Sequence, residues 1–209
     1  MISYLAAYGS GLVGLFLLRA GDTVYHHAPF RKNADLTEAC ELSKLKKVPV
    51  KSVSSLIGLF HSGNSNGIVQ AVDPESEWST YMKTKFTCLG NLILCNDKGA
   101  LISPALKKEK KKLEKILGVK CTTGTIAGLQ TVGTLGIANN HGAVFHQEAT
   151  EAESAVLKSA LKVDQIGPAT ISKSGFVGAS AIASDDSLIL SPGTMTPEMA
   201  QIAEILDID

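Results

Sequence analysis

The sequence predicts an α/β protein built from five consecutive β-β-α-β units. Three observations predict it: a ten-residue phrase recurs along the chain, each copy reads as a β-hairpin, and helical periodicity follows four of the copies. The phrase is glycine, five residues, asparagine, two residues, glycine, and it occupies 58–67, 90–99 and 133–142. A softened copy runs from Gly178 through Ser184 to Ser187, and a more worn one from Gly14 through Ala20 to Thr23. The first glycines are 44, 32, 43 and 45 residues apart. Repeats of this length are supersecondary units that bury their apolar faces only against their neighbours.

Inside each copy an apolar run precedes the turn, at 15–18, 59–60, 92–95, 135–138 and 179–183, and another follows it, at 24–25, 68–69, 100–102, 143–145 and 188–190. The linking residues, such as Asn64-Ser65-Asn66-Gly67 and Asn96-Asp97-Lys98-Gly99, tolerate the positive φ of tight turns. A strand is therefore expected directly behind each first glycine.

After Ser103-Pro104, the residues Leu106, Leu113, Ile116 and Leu117 fall on one helical face and lysines on the other. Helical periodicity also covers 35–45, 150–161 and 196–206, and Thr150 with Glu153 has capping-box spacing. A short third strand follows at 48–50, 119–122 and 163–166. The second unit is short: 73–86, with Trp78 and Tyr81, leaves room for about one helical turn. The strand-like 1–5 could supply the third strand that the fifth unit lacks, closing a ring without exposed edges. The expected organisation is one domain over 1–209, with repeats near 5–48, 49–85, 86–123, 124–166 and 167–209.

At 209 residues, 44% hydrophobic and 19% charged, the chain can bury a sizeable core. The apolar stretch 12–18 lacks a basic residue ahead of it and reads as the first hairpin rather than a signal segment, so a cytoplasmic, membrane-free protein is expected. Cys40, Cys88, Cys95 and Cys121 show no C-x-x-C spacing and read as reduced thiols. Net charge is zero, yet residues 1–120 carry 17 Lys+Arg against 10 Asp+Glu, and 121–209 carry 3 against 10. Lys107, Lys108, Lys110, Lys111, Lys112 and Lys115 share one predicted helix. They read either as a solvated face or as a face for phosphate, whose binding would weaken with salt.

Catalytic motifs are missing: there is no H-E-x-x-H, P-loop or G-x-S-x-G. His26 and His27 follow the first hairpin, His61 lies in a strand, and His141 and His146 would point to opposite strand faces, so no metal site is expected. Asp185-Asp186 reads as a hairpin turn, and no cofactor is implied.

The phrases Leu89-Gly90-Asn91, Asn96-Asp97-x-Gly-Ala-Leu-Ile-x-Pro104, Gly124-Thr125-Ile126-Ala127-Gly128, Val132-Gly133 and Thr194-x-Thr-Pro-Glu198 resemble the translation initiation factor 6 family. The likeness spans the chain and is strongest from Val48 onward. It implies a pentein, a closed five-fold pseudosymmetric α/β propeller of β-β-α-β units. It also implies an archaeal and eukaryotic anti-association factor that binds the large ribosomal subunit, on a ribosomal protein and rRNA near the sarcin-ricin loop, and blocks joining of the small subunit. In eukaryotes the family also serves large-subunit maturation. By this resemblance Gly90 and Asn91 are expected on or near the ribosome-facing rim, with Asn96, Asp97, Lys107, Lys108 and Lys111 as further contacts. The alternative for Gly90 and Asn91 is that they shape the strand entrance. The family usually carries a full helix in its second unit, cut here to about a turn, and polar family positions near Gly58 are Leu59 and Phe60 here. Penteins also include guanidine-modifying enzymes with a late cysteine nucleophile. No cysteine follows Cys121, which argues against catalysis. A DNA-clamp ring fails on size and on the lack of a basic lining in every unit. A monomeric binding factor that is not an enzyme is expected.

Overall fold

The computed structural model describes the backbone of residues 1–209 and every side chain except those of Arg31 and Lys32. It is a mixed α/β fold with five three-stranded sheets. Strand β1 (Ile2–Tyr4) opens the chain, and the first unit follows as α1 (Val13–Phe16), β2 (Leu17–Ala20), β3 (Thr23–His27), α2 (Ala34–Leu42) and β4 (Lys46–Val50). The second is α3 (Ile57–Phe60), β5 (His61–Asn64), β6 (Gly67–Gln70) and β7 (Thr80–Tyr81). The third is α4 (Leu89–Leu92), β8 (Ile93–Cys95), β9 (Ala100–Ile102), α5 (Lys110–Leu117) and β10 (Cys121–Thr123). The fourth is α6 (Val132–Leu135), β11 (Gly136–Ala138), β12 (Gly142–His146), α7 (Glu151–Leu161) and β13 (Gln165–Ala169). The fifth is α8 (Val177–Ser180), β14 (Ala181–Ala183), β15 (Leu188–Leu190) and α9 (Thr196–Leu206).

Every middle strand pairs antiparallel with the first strand of its hairpin and parallel with a third. In the fifth sheet that third strand is β1, with Ile2 beside Leu188 and Tyr4 beside Leu190. Consecutive parallel partners need a crossover, and α2, α5 and α7 provide it in the first, third and fourth units; α9 occupies the corresponding place after β15. Each of these helices also touches the sheet of the unit before it: α5 lies on β6, α7 on β9, α9 on β12 and α2 on β1.

The buried apolar residues accordingly gather between units. One cluster joins Val69 and Met82 to Leu106, Leu113 and Leu117, another Leu94 and Leu101 to Leu157 and Leu161, and a third Ile137 and Val144 to Ile202 and Leu206. A fourth joins Ile182 and Ile189 to Leu17 and Leu36, so the fifth unit packs on the first. Between the first and second units the cluster is Leu18, Ala20, Val50, Ile57 and Ile68.

Two expectations are corrected. No strand begins directly behind the first glycine; that glycine sits inside a one-turn helix, because one turn aims Val13, Ile57, Leu89, Val132 and Val177 into the interior. Four residues are too few to show a helical period. The turn of helix expected within 73–86 does not form: among the described residues, β7 is the regular element between β6 and α4. Pro74 interrupts there, Asp73 Oδ1 accepts from the Glu75 amide (3.0 Å), and Gln70 Oε1 takes the amides of Val72 and Asp73. These side chains offer the backbone local partners that compete with a helix.

Smaller shifts separate the other bounds. The helix expected at 35–45 is 34–42, the one after Pro104 starts at 110 behind a 3-10 turn (Pro104–Leu106), and His26 and His27 belong to β3. The capping box of α7 is present: the Glu153 amide donates to Thr150 Oγ1 (3.2 Å), and the Thr150 amide to Glu153 Oε2 (2.9 Å).

Candidate functional site

Every defined residue of the ten-residue phrase sits at a joint between units. A Cβ on the first glycine would stand 1.8–2.0 Å from a neighbouring glycine's carbonyl oxygen: Gly58 on Gly14, Gly90 on Gly58, Gly133 on Gly90, Gly178 on Gly133, and Gly14 on Gly178. Only glycine allows that approach. The short helices touch in the order α1, α3, α4, α6, α8, and α8 touches α1.

The asparagine is a latch. Asn96 Nδ2 donates to Asn139 O and Leu161 O (both 2.9 Å), and its Oδ1 accepts from the amides of Lys98 (3.0 Å) and Gly99 (2.9 Å). Asn64 binds Asn96 O and Leu117 O in the same way, and Asn139 binds Ser184 O and Leu206 O. One amide thus fixes its own turn, the next unit's turn and the last carbonyls of the next unit's helix, which are orphans otherwise. The closing glycine makes room for that helix end: Cβ atoms on Gly67, Gly99 and Gly142 would lie 2.3, 1.9 and 1.9 Å from Ile116 O, Ala160 O and Ile205 O.

The next turn residues form a polar collar. The Ser65 amide donates to Asp97 Oδ1 (2.8 Å), the Asp97 amide to Asn140 Oδ1 (3.0 Å), and the Asn140 amide to Asp185 Oδ1 (2.8 Å), while Asn140 Nδ2 bridges both carboxylates. Burial pushes the Asp97 carboxyl up, but the bonds from Asn140 and Ser65 and the charge of Arg19 together bring it below its ordinary value. Arg19, its side chain 8% exposed, lies 3.9 Å from Asp185. It borders a cavity of about 110 Å³ to which all five units contribute, His61, Cys95, Ile137 and Ile182 among them.

The topology gives the molecule two unlike ends. Hairpin turns occupy one, with polar residues at their tips: Asp22, Ser65, Asp97, Asn140 and Asp185. Loops that follow the third strands occupy the other, and they expose Tyr8 (46%), Leu12 (43%), Val53 (68%), Leu129 (48%) and Phe176 (49%). Carboxylates hold these loops. Glu153 Oε1 accepts from Thr125 Oγ1 (2.7 Å) and the Gly128 amide (2.8 Å), and Glu198 accepts from Thr170 Oγ1 and the amides of Ser172 and Lys173. Burial raises both carboxyls, but these bonds outweigh it, and Glu153 settles at about 2.

The structure splits the residues singled out in the sequence. Gly90 and Asn91 lie in α4, and Lys107 and Lys108 open the segment into α5, all toward the apolar-loop end. Asn96 and Asp97 lie across β8 in the hairpin turn, roughly 10 Å of strand away. Asn96 is fully buried, and its amide is committed to the latch. Asn91 is half-buried with its side chain outside any such latch, and Lys107, Lys108 and Lys111 are exposed. Sequence reasoning missed the Arg19–Asp185 contact, the collar, the loop-holding glutamates and the apolar loops. Only the loops carry a sequence signal, in lone apolar residues beside glycine or serine at Leu12, Val53, Leu129 and Phe176.

Burial raises the thiols of Cys40 and Cys95 to about 11 and that of Cys121 to about 12, the reverse of an activated nucleophile. His61, buried against Trp78, is lowered to about 4.

Compared with known proteins, residues 3–205 match the model of the eIF-6 family. Translation initiation factor 6 of Thermococcus onnurineus is 32% identical over 97% of this chain and 93% of that protein. Its counterpart in Pyrococcus horikoshii is 36% identical over 77% and 80%, and that of Methanocaldococcus jannaschii 44% identical over 61% of this chain and 56% of that protein. On a match that covers nearly its whole length, the chain belongs to the eIF-6 family.

Proposed function

We propose that this chain is a cytoplasmic translation initiation factor that binds the large ribosomal subunit and sterically prevents its joining with the small subunit. The observation that carries the reading is the family match over residues 3–205, together with relatives named translation initiation factor 6. We further propose one pentein domain over 1–209, a closed five-fold ring. Support comes from the glycine-on-glycine contacts and the apolar clusters, both of which return from the fifth unit to the first.

The ribosome-facing end in this proposal is the one with the apolar loops. Tyr8, Leu12, Leu129 and Phe176 would meet a ribosomal protein, with Gly90 and Asn91 at the contact's polar part, Asn91 offering donor and acceptor. Lys107, Lys108 and Lys111 would engage rRNA near the sarcin-ricin loop. Asn96 and Asp97 would act indirectly, by fixing one unit on the next. The factor works as a monomer, without cofactor, metal or catalysis, and the raised thiols fit a binding role.

Co-sedimentation tests the reading. The protein should pellet with archaeal large subunits, release as salt rises, and suppress subunit joining without nucleotide. Pelleting with both subunits equally, or with neither at low salt, would overturn it. Asn91→Glu should weaken pelleting while leaving the Tm within a few degrees of the parent; a collapse of Tm would mark Asn91 as a packing residue.

A further inference from the structure

The third strand of each unit is the outer strand of its sheet, and five equivalent residues decide whether its edge is open. Registers of His26 with Pro49, Gln70 with Tyr81, Ile102 with Thr123, Phe145 with Pro168 and Leu190 with Tyr4 align them. Alternate residues of a parallel strand bond inward. The Met82 amide donates to Gln70 O and the Gly124 amide to Ile102 O, so Tyr81 and Thr123 turn their backbone groups outward.

Three edges are blocked. Pro49 and Pro168 have no N–H to offer, and Gln201 Nε2 occupies Pro168 O (2.9 Å). In the third unit, the outward amide of Cys121 donates to Glu114 Oε1 of the unit's own helix (3.1 Å). In the second unit the third strand carries no proline and no crossover helix precedes it, so β7 lies open with Tyr81 40% exposed. Beside it, between β7 and α5, a groove of about 480 Å³ has Met82 and Ile116 among its apolar walls, Lys83, Lys112 and Lys115 as its charges, and no carboxylate. The other open edge, at Tyr4, borders a groove of about 320 Å³ whose charged residues are Asp35 and Glu38.

We propose that the β7 groove docks an extended, acidic segment of a partner protein, which adds as a fourth strand along Tyr81 and sets its carboxylates against Lys83, Lys112 and Lys115. Strand addition supplies main-chain bonds, and alternate side chains supply selectivity. Charge selects this edge over the one at Tyr4. A single-stranded nucleic acid could use the lysines and the tyrosine ring, but it has no use for a strand edge. The proposal goes beyond the ribosome reading: that reading takes Lys111 from the same helix, but none of the residues it uses lines this groove.

Fluorescence anisotropy of the intact protein with a short labelled peptide, alternating Asp or Glu with Val and blocked at both ends, tests it. Binding should fall about tenfold or more with Tyr81→Pro and with the double change Lys112→Glu and Lys115→Glu, weaken with salt, and be unmoved by Tyr4→Pro. The same peptide N-methylated at alternate amides should lose binding. Equal binding of the methylated peptide, loss with Tyr4→Pro, no peptide binding at low salt, or capture of oligouridylate in place of peptide would each overturn the proposal. Should Tyr81→Pro fail to fold, the charge reversals on the exposed helix face and the methylated peptide decide the matter.

Discussion

The joint between the third and fourth units and the joint between the first and second are built on one plan with unequal parts. At the former, Asn96 latches two carbonyls of the fourth unit, Gly99 admits the end of α7, and α7 covers β9. At the latter, Ala20 replaces the asparagine and Thr23 the closing glycine, no helix arrives, and five residues form the buried cluster. Trp78 stands in for the helix, stacked on His61 (4.5 Å) and Tyr25 (5.5 Å), with Nε1 donating to Lys51 O (3.1 Å). The difference teaches that the asparagine latch and the closing glycine answer to a helix end, although a helix can also arrive without them, as α2 does on the fifth unit, where Ser184 and Ser187 take their places. Where the next unit brings no helix, there is no helix-end carbonyl to latch and no need for glycine to make room.

Gly99→Val should have the largest effect, because its Cβ would overlap a backbone oxygen at 1.9 Å, where nothing flexible can yield. A loss above about 4 kcal/mol or failure to fold is expected by denaturant titration, against less than about 1 kcal/mol for Thr23→Gly at the weak joint. Asn96→Ala should follow, at about 3 kcal/mol, because two carbonyls and two amides lose their partner at once. Comparable losses for Thr23→Gly and Gly99→Val would refute the distinction between the joints.

Trp78→Ala should cost about 2 kcal/mol, less than a fully buried tryptophan. Hydrogen exchange should then speed up in β2 to β4 while β11 to β13 stay protected.

Acid should separate the same regions. His61 titrates at about 4 in the folded protein against 6.5 ordinarily, so its neutral form stabilises the weak joint above about pH 6.5, and that contribution is lost as pH falls toward 4. Glu153, at about 2 against 4.5, stabilises its loop above about pH 4.5 and is lost only as pH falls through 2. Protection factors, taken against the intrinsic exchange rate at each pH, should therefore fall first around His61 between pH 6.5 and 4, and Glu153→Gln should flatten the response below pH 4.5. The smallest effect is Ser184→Asn, which offers the missing latch to the first unit's helix end and should change stability by less than about 1 kcal/mol in either direction.

Much of this was legible in the sequence because the repeat carries its own markers. The count of five units, the helices at 150–161 and 196–206 and the partner of the first strand all followed from spacing. What stayed hidden depends on contacts between units: the role of Asn96 looks like turn chemistry until the carbonyls of Asn139 and Leu161 are seen beside it. The one-turn helices were hidden because four residues show no period, and the second unit's missing helix because local bonds from Gln70 and Asp73 outweigh the room available. In the candidate site, Asn91 could be placed by resemblance and the lysines by their clustering, whereas the exposed Tyr8, Leu12, Leu129 and Phe176 required the loops to be seen at one end.

The pairing of β1 with β15 sets a timetable for folding. β1 is made before any other element of the fold, and its partner, around Leu188, among the last. Until then a free edge with Ile2, Ser3 and Tyr4 must wait while nearly the whole chain is closed as a loop, a slow, high-contact-order step. The fourth and fifth units, latched by Asn139, can assemble locally in all but this strand, so the fifth sheet, which takes its outer strand from the opposite end of the chain, is the one that finishes last.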